Sequence, residues 1–142
     1  MFTYLHLVQF YETDMMGVVH HSNYLRFFEE ARVAWAHEHG LIDYQRPESA
    51  SRFAVYETLV RHLKPAFFGD TLHTEVQARR EGIKVQFQYR MWSVSRAADA
   101  IKTLVSVAQT VHVPLDENLK IKRLSPEMLQ VLERQSWTET WL

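Results

Sequence analysis

After Ser22 the apolar residues Tyr24, Phe27, Phe28, Ala31, Ala34 and Trp35 recur at helical spacing. No other feature limits the folds open to this chain as much. Glu29, Glu30, Arg32 and Glu38 lie mostly off the stripe. A helix of about 17 residues is a rod of roughly 25 Å, and one this rich in aromatic rings needs a broad apolar surface to cover it. Ser22 is the expected N-cap, because its hydroxyl can accept a free N–H of the first turn, and Asn23 is the competing choice. Leu25 and Arg26 stand where a capping box needs Glu or Gln. His37 and His39 suit the negative end of the helix dipole, and Gly40 is a fitting stop.

The rest of the chain supplies the covering surface. Phe2 to Tyr11 reads as a strand covered at least partly on both sides, since apolar residues fall on both alternating faces. Leu41 to Ser51 contains Pro47 and reads as loop with at most one helical turn. Strand patterns follow over Phe53 to Lys64, Thr71 to Arg80, Ile83 to Val94 and Ala100 to Val113. Glu81-Gly82 marks a tight turn and Ser95 to Asp99 another. Clean alternation, as in Val85, Phe87, Tyr89 and Met91 against Lys84, Gln86, Gln88 and Arg90, predicts one buried face and one wetter face. Ser125-Pro126-Glu127 opens a short amphipathic helix. Two tryptophans in the tail from Trp137 to Leu142 either pack on a neighbour or fray. One long helix and about five antiparallel strands make an α+β domain, with the sheet wrapped around the helix. The whole of 1–142 reads as one domain.

Composition narrows the function. Net charge is −1, so no global basic field points to nucleic acid. With no cysteine there is no disulfide, thiol nucleophile or thiolate metal site. That absence fits a reducing compartment, and the N-terminus lacks the basic region and apolar run of a signal peptide. No apolar run approaches membrane-spanning length. The expectation is a cytoplasmic protein.

The chemistry concentrates between strand and helix. Glu12-Thr13-Asp14-Met15-Met16-Gly17 is a short loop with a carboxylate at Asp14, followed directly by the helix start. A helix N-terminus offers free N–H groups and positive potential, which stabilise a developing oxyanion. Gly17 reads as a position needing positive φ or a close backbone approach. His6, His20 and His21 lack the spacing of a metal triad, and no metal is expected. Glu29 and Glu30 read as salt-bridge partners of arginines. The aromatic stripe is core, with its edge free to line a pocket. Lys84, Arg79, Arg80 and Arg90 form a solvated strand face.

The run Thr13-Asp14-Met15-Met16-Gly17-Val18-Val19-His20-His21-Ser22-Asn23-Tyr24 resembles the signature of the hotdog-fold thioesterases, in particular the 4-hydroxybenzoyl-CoA thioesterase-like family of acyl-CoA thioesterases. Lys64-Pro65-Ala66-Phe67-Phe68-Gly69-Asp70 is similar to a second passage of that family. Together the matches frame a core over 2–114, and 115–142 carries no signature. Many relatives have Arg where this chain has Gln9, and an aromatic where it has His20. The resemblance implies hydrolysis of an acyl-CoA thioester to a carboxylic acid and CoA, without cofactor or metal. It implies a homodimer or homotetramer with active sites at subunit interfaces. Asp14 then falls on the catalytic carboxylate, as general base or as nucleophile. His21 falls on the helix turn that polarises the carbonyl, through its backbone N–H or, alternatively, through its ring. Gly17 and Tyr24 are expected to border the substrate. A hotdog hydratase or dehydratase, or a non-catalytic acyl-CoA-binding module, are the competing readings. The intact Asp14 loop argues against both.

Overall fold

The computed structural model describes residues 1–96 and 100–142. The aromatic stripe forms α1 (Ser22–Glu38). Five strands build one antiparallel sheet: β1 (Phe2–Leu7), β2 (Arg52–His62), β3 (Thr71–Glu81), β4 (Lys84–Val94) and β5 (Lys102–Leu115). Their order is β1-β3-β4-β5-β2, so both edge strands come from the first half of the chain. A second helix, α2 (Pro126–Glu133), is capped by the Ser125 hydroxyl, which accepts the Met128 N–H at 3.2 Å. The α+β architecture with one long helix against the sheet is as the sequence predicts.

Packing follows the periodicities. Phe27, Phe28, Ala31 and Trp35 of α1 are buried against the face of β4 that carries Val85, Phe87 and Tyr89, and against its neighbours. Phe28 lies 4.9 Å from Tyr89 and Trp35 meets Phe87 edge-on at 5.1 Å, centroid to centroid. Fully burying each such side chain contributes about 1.5–3 kcal/mol relative to leaving it exposed, so the stripe is the main apolar anchor of the fold. Gly40 has φ +73°, the left-handed conformation a helix stop requires.

Four expectations change. The first strand ends at Leu7, not Tyr11, and Leu5 and Leu7 face solvent. As an edge strand it has a neighbour on one side only, and a 3-10 turn at Phe10–Glu12 redirects the chain. Glu12 fixes that turn: its buried carboxylate accepts the Gln9 N–H at 2.7 Å and pairs with His6 Nε2 at 2.8 Å. Second, Ser22 is not the N-cap. His21 occupies the cap position without a side-chain cap, while His20 Nδ1 takes both the N–H and the hydroxyl of Ser22. Third, the polar face of β3 and β4 is not wet. Gln77, Gln86 and Gln88 are buried. Fourth, the tail neither frays nor waits for a neighbour, because it lies across that face: the Trp141 N–H donates to Gln88 Oε1 at 2.8 Å, and Gln77 Nε2 to the Glu139 carbonyl at 2.9 Å. Arg79 sits over Trp137 at 4.2 Å and Arg90 over Trp141 at 4.5 Å. The turn expected over Ser95 to Asp99 falls mostly on 97–99, outside the described residues.

Candidate active site

Two loops converge at the start of α1. One carries Asp14 and is closed by a bridge between Thr13 and Val19. The other follows β2 and runs through Pro65 to Asp70. They are laced together by a bridge between Val18 and Phe67 and by the Val19 N–H donating to the Ala66 carbonyl at 2.8 Å. Asp70 Oδ2 holds the second loop from within, accepting from the Phe67 N–H and the Ser93 hydroxyl.

Asp14 is partly exposed. Its Oδ1 accepts the Met16 N–H at 2.8 Å and the Val18 N–H at 3.4 Å, so one carboxylate oxygen organises the loop. Its Oδ2 has no hydrogen-bond partner among the described residues. Gly17 has φ +77°, and a Cβ there would meet no atom within 4 Å. Backbone conformation, not close approach, requires glycine here.

The donors of the helix start are unequally engaged. The His20 N–H goes to the Glu12 carbonyl at 2.9 Å, Ser22 N–H to His20 Nδ1, and the Asn23 and Tyr24 N–H groups to the His20 and His21 carbonyls. The His21 N–H has no acceptor among the described residues. Asn23 makes the junction rigid, its buried side-chain amide donating to the Glu12 carbonyl at 2.8 Å.

An open cleft of about 300 Å³ lies beside this point, lined by Val18, Val19, His21, Tyr24, His62 and Lys64 among others. Tyr24 is buried beneath it, edge-on to His62 at 4.8 Å, and burial raises its phenol pKa. The structure therefore brings His21 and Tyr24 into one cleft. Asp14 and Gly17 lie in the adjoining loop and do not line it. Sequence reading missed three contributors: Glu12 and Asn23, which lock loop to helix, and His62, which the topology delivers at the end of β2. Only Lys64-Pro65 gave any signal for that wall. The His20 and His21 rings meet at a tilt with centroids 4.2 Å apart, and no group of metal-ligating side chains occurs among the described residues. Glu29 pairs with Arg32 at 3.8 Å, whereas Glu30 pairs with His6 at 3.3 Å rather than an arginine.

Comparison with known proteins decides the family, because the thioesterase-like superfamily matches residues 8–132. The chain belongs to the thioesterase-like superfamily. The match extends past the sequence signature to include α2. Acyl-CoA thioester hydrolase YbgC of Escherichia coli is 30% identical to this thioesterase-family chain over 117 residues, 81% of each protein. A crystal structure of a hypothetical protein from Aquifex aeolicus, 31% identical, superposes with TM-score 0.78 over 92% of this chain and 98% of that one. The 4-hydroxybenzoyl-CoA thioesterase of a Pseudomonas species shares only 15% identity but superposes with TM-score 0.80 over 91% of this chain and 96% of its own. That likeness shows the fold, which is the hotdog fold. No helix among the described residues is long and apolar enough to cross a membrane.

Proposed function

We propose that this thioesterase-family enzyme hydrolyses an acyl-CoA thioester, with Asp14 as the catalytic carboxylate and the His21 N–H as the donor to the carbonyl oxygen. The observation that carries the reading is the unengaged His21 N–H at the positive end of α1, next to the Asp14 loop. As a nucleophile adds to the thioester carbon, charge develops on the carbonyl oxygen. A fixed N–H and a helix dipole stabilise that charge more than the neutral ground state. Asp14 Oδ2 is free to take a proton from water or to attack the carbon itself. As a base, Asp14 takes the water proton as the C–O bond forms and returns it to the CoA sulfur as the C–S bond breaks. As a nucleophile, it forms a mixed anhydride as CoA thiolate leaves and takes a proton from solvent, and water then cleaves the anhydride to the acid and restores the carboxylate. The similarity to YbgC, an acyl-CoA thioester hydrolase, supports acyl-CoA as the substrate class. The reading takes 1–142 as one domain, since α2 and the tail pack on the same sheet, and a homodimer or homotetramer as the working unit.

Asp14→Asn is the informative variant. Asparagine keeps the side-chain oxygen that accepts the Met16 N–H, so the loop should hold and the protein should melt as wild type. It cannot take the proton, and kcat for thiol release from acyl-CoA should fall by roughly 10²–10⁴. Turnover within about threefold of wild type, a barrier change under ~1 kcal/mol, excludes Asp14 as the catalyst. Absence of thiol release from every member of a panel of aliphatic and aromatic acyl-CoAs excludes the activity.

A further inference from the structure

A second cavity, of about 340 Å³, opens between the C-terminal half of α1, the sheet and the start of α2. It shares no lining residue with the cleft at His21. From Tyr24 to Arg32 the helix advances roughly 12 Å, and buried Phe27 and Phe28 lie between. Walls come from Phe53, Phe87, Met128 and the buried Trp35 ring, and the polar groups include Arg32 and His112.

The hydrogen atoms of these polar groups can be placed. Arg32 Nη1 donates to the Tyr89 hydroxyl at 3.1 Å, Tyr89 bonds Thr110 Oγ1 at 2.7 Å, and Thr110 Oγ1 bonds His112 Nε2 at 2.9 Å. A guanidinium only donates. The direction that leaves no hydroxyl proton idle sends the Tyr89 proton to Thr110 and the Thr110 proton to His112 Nε2. His112 then carries its own proton on Nδ1, which has no partner among the described residues. Burial, with the charge of Arg32 adding to it, pushes the His112 pKa down to about 4, so the ring is neutral near pH 7. Trp35 is fully buried and its Nε1 has no hydrogen-bond partner. An indole N–H left unsatisfied in this way is destabilising. The one carboxylate on the wall, Glu29, is 70% exposed and stands 3.8 Å from Arg32. Donors thus border an apolar cavity, and no buried carboxylate answers them.

We propose that this cavity is a second ligand site that takes a hydrophobic monocarboxylate, its acid group held by the donors of Arg32 and His112 beside the buried Trp35 ring, and its apolar body packed against Phe53, Phe87 and Met128. A carboxylic acid is also the product of the hydrolysis proposed above, which makes product feedback a use for the site. That use rests on the proposed activity; the binding does not.

The test is binding of benzoate, read at the Trp35 indole N–H by two-dimensional nitrogen–proton NMR on the full-length protein, with benzamide as the neutral control. A saturable shift of the Trp35 indole, which borders the cavity, is expected below roughly 10 mM benzoate. Benzamide should bind roughly tenfold more weakly, because it forfeits the charge-assisted bond to Arg32. Ala36→Trp fills the cavity from α1 and should remove the response while acyl-CoA hydrolysis stays within about twofold of wild type. An unmoved Trp35 signal, shifts confined to the amides around His21, or equal binding of benzamide each overturns the proposal. The NMR readouts do not depend on whether the chain hydrolyses thioesters, so the two readings fail separately.

Discussion

His21 has φ −56° and an N–H without an acceptor among the described residues. Proline imposes nearly that φ and lacks that hydrogen. His21→Pro therefore removes the proposed oxyanion donor without breaking a bond of the fold, and His21→Ala removes the ring while keeping the donor. If the backbone polarises the carbonyl, the alanine variant should keep most of its activity. The proline variant should lose about 2.7–4 kcal/mol of transition-state stabilisation, read as kcat with acyl-CoA on preparations with matching melting curves. Equal loss in both variants would assign the role to the imidazole. The placement of Asp14 and His21 at the start of α1 was legible in the sequence, because a short strand-to-helix loop leaves them few places to go. The cap was not. Rules for helix starts favour Ser and Asn, and here an imidazole two residues upstream takes the Ser22 hydroxyl as well as its N–H.

The tail from Trp137 to Leu142 acts as a strap across the outer face of β3 and β4. Its two backbone hydrogen bonds, to Gln77 and Gln88, contribute about 0.5–1.5 kcal/mol each, its two cation–aromatic contacts about 0.5–1 each, and its exposed Glu139 carboxylate also accepts from Arg90 at 3.3 Å. Deleting 136–142 should lower the melting temperature by several degrees, for a loss of about 2–4 kcal/mol. Turnover per folded molecule should not change, because the strap lies on the sheet face away from α1. An unchanged melting curve would show that the strap contributes nothing. Strand and helix identities were legible because hydrophobic period is a local property. The burial of Gln77 and Gln88 was not, since what covers them is a segment more than fifty residues further on. Likewise Glu12, a charge in a polar loop by sequence, becomes a buried anchor once the turn folds it onto His6.

The sheet has two open edges, and they are not alike. β2 presents Val55, Tyr56 and Leu59 to solvent, each close to half exposed or more, and Leu63 follows just past its end. An apolar edge of this kind pairs with another edge, and a two-fold axis along β2 would join two copies and bring the His62 end of each strand near the interface. Light scattering should give at least twice the 16.8 kDa chain mass at micromolar concentration, and Leu59→Lys should shift the population toward monomer. A wild-type monomer at that concentration removes the proposed assembly. The strand order also fixes a timetable. β3, β4 and β5 are neighbours in sequence and in space, but β1 can pair only with β3 and β2 only with β5. Contacts between distant segments form late, after the chain entropy of closing long loops is overcome. During synthesis α1 and β2 leave the ribosome well before residues 102–115, the strand that seats β2. For that interval the nascent chain displays its most aromatic segment uncovered, and it is then, not in the finished molecule, that the protein is most exposed to aggregation and most in need of a chaperone.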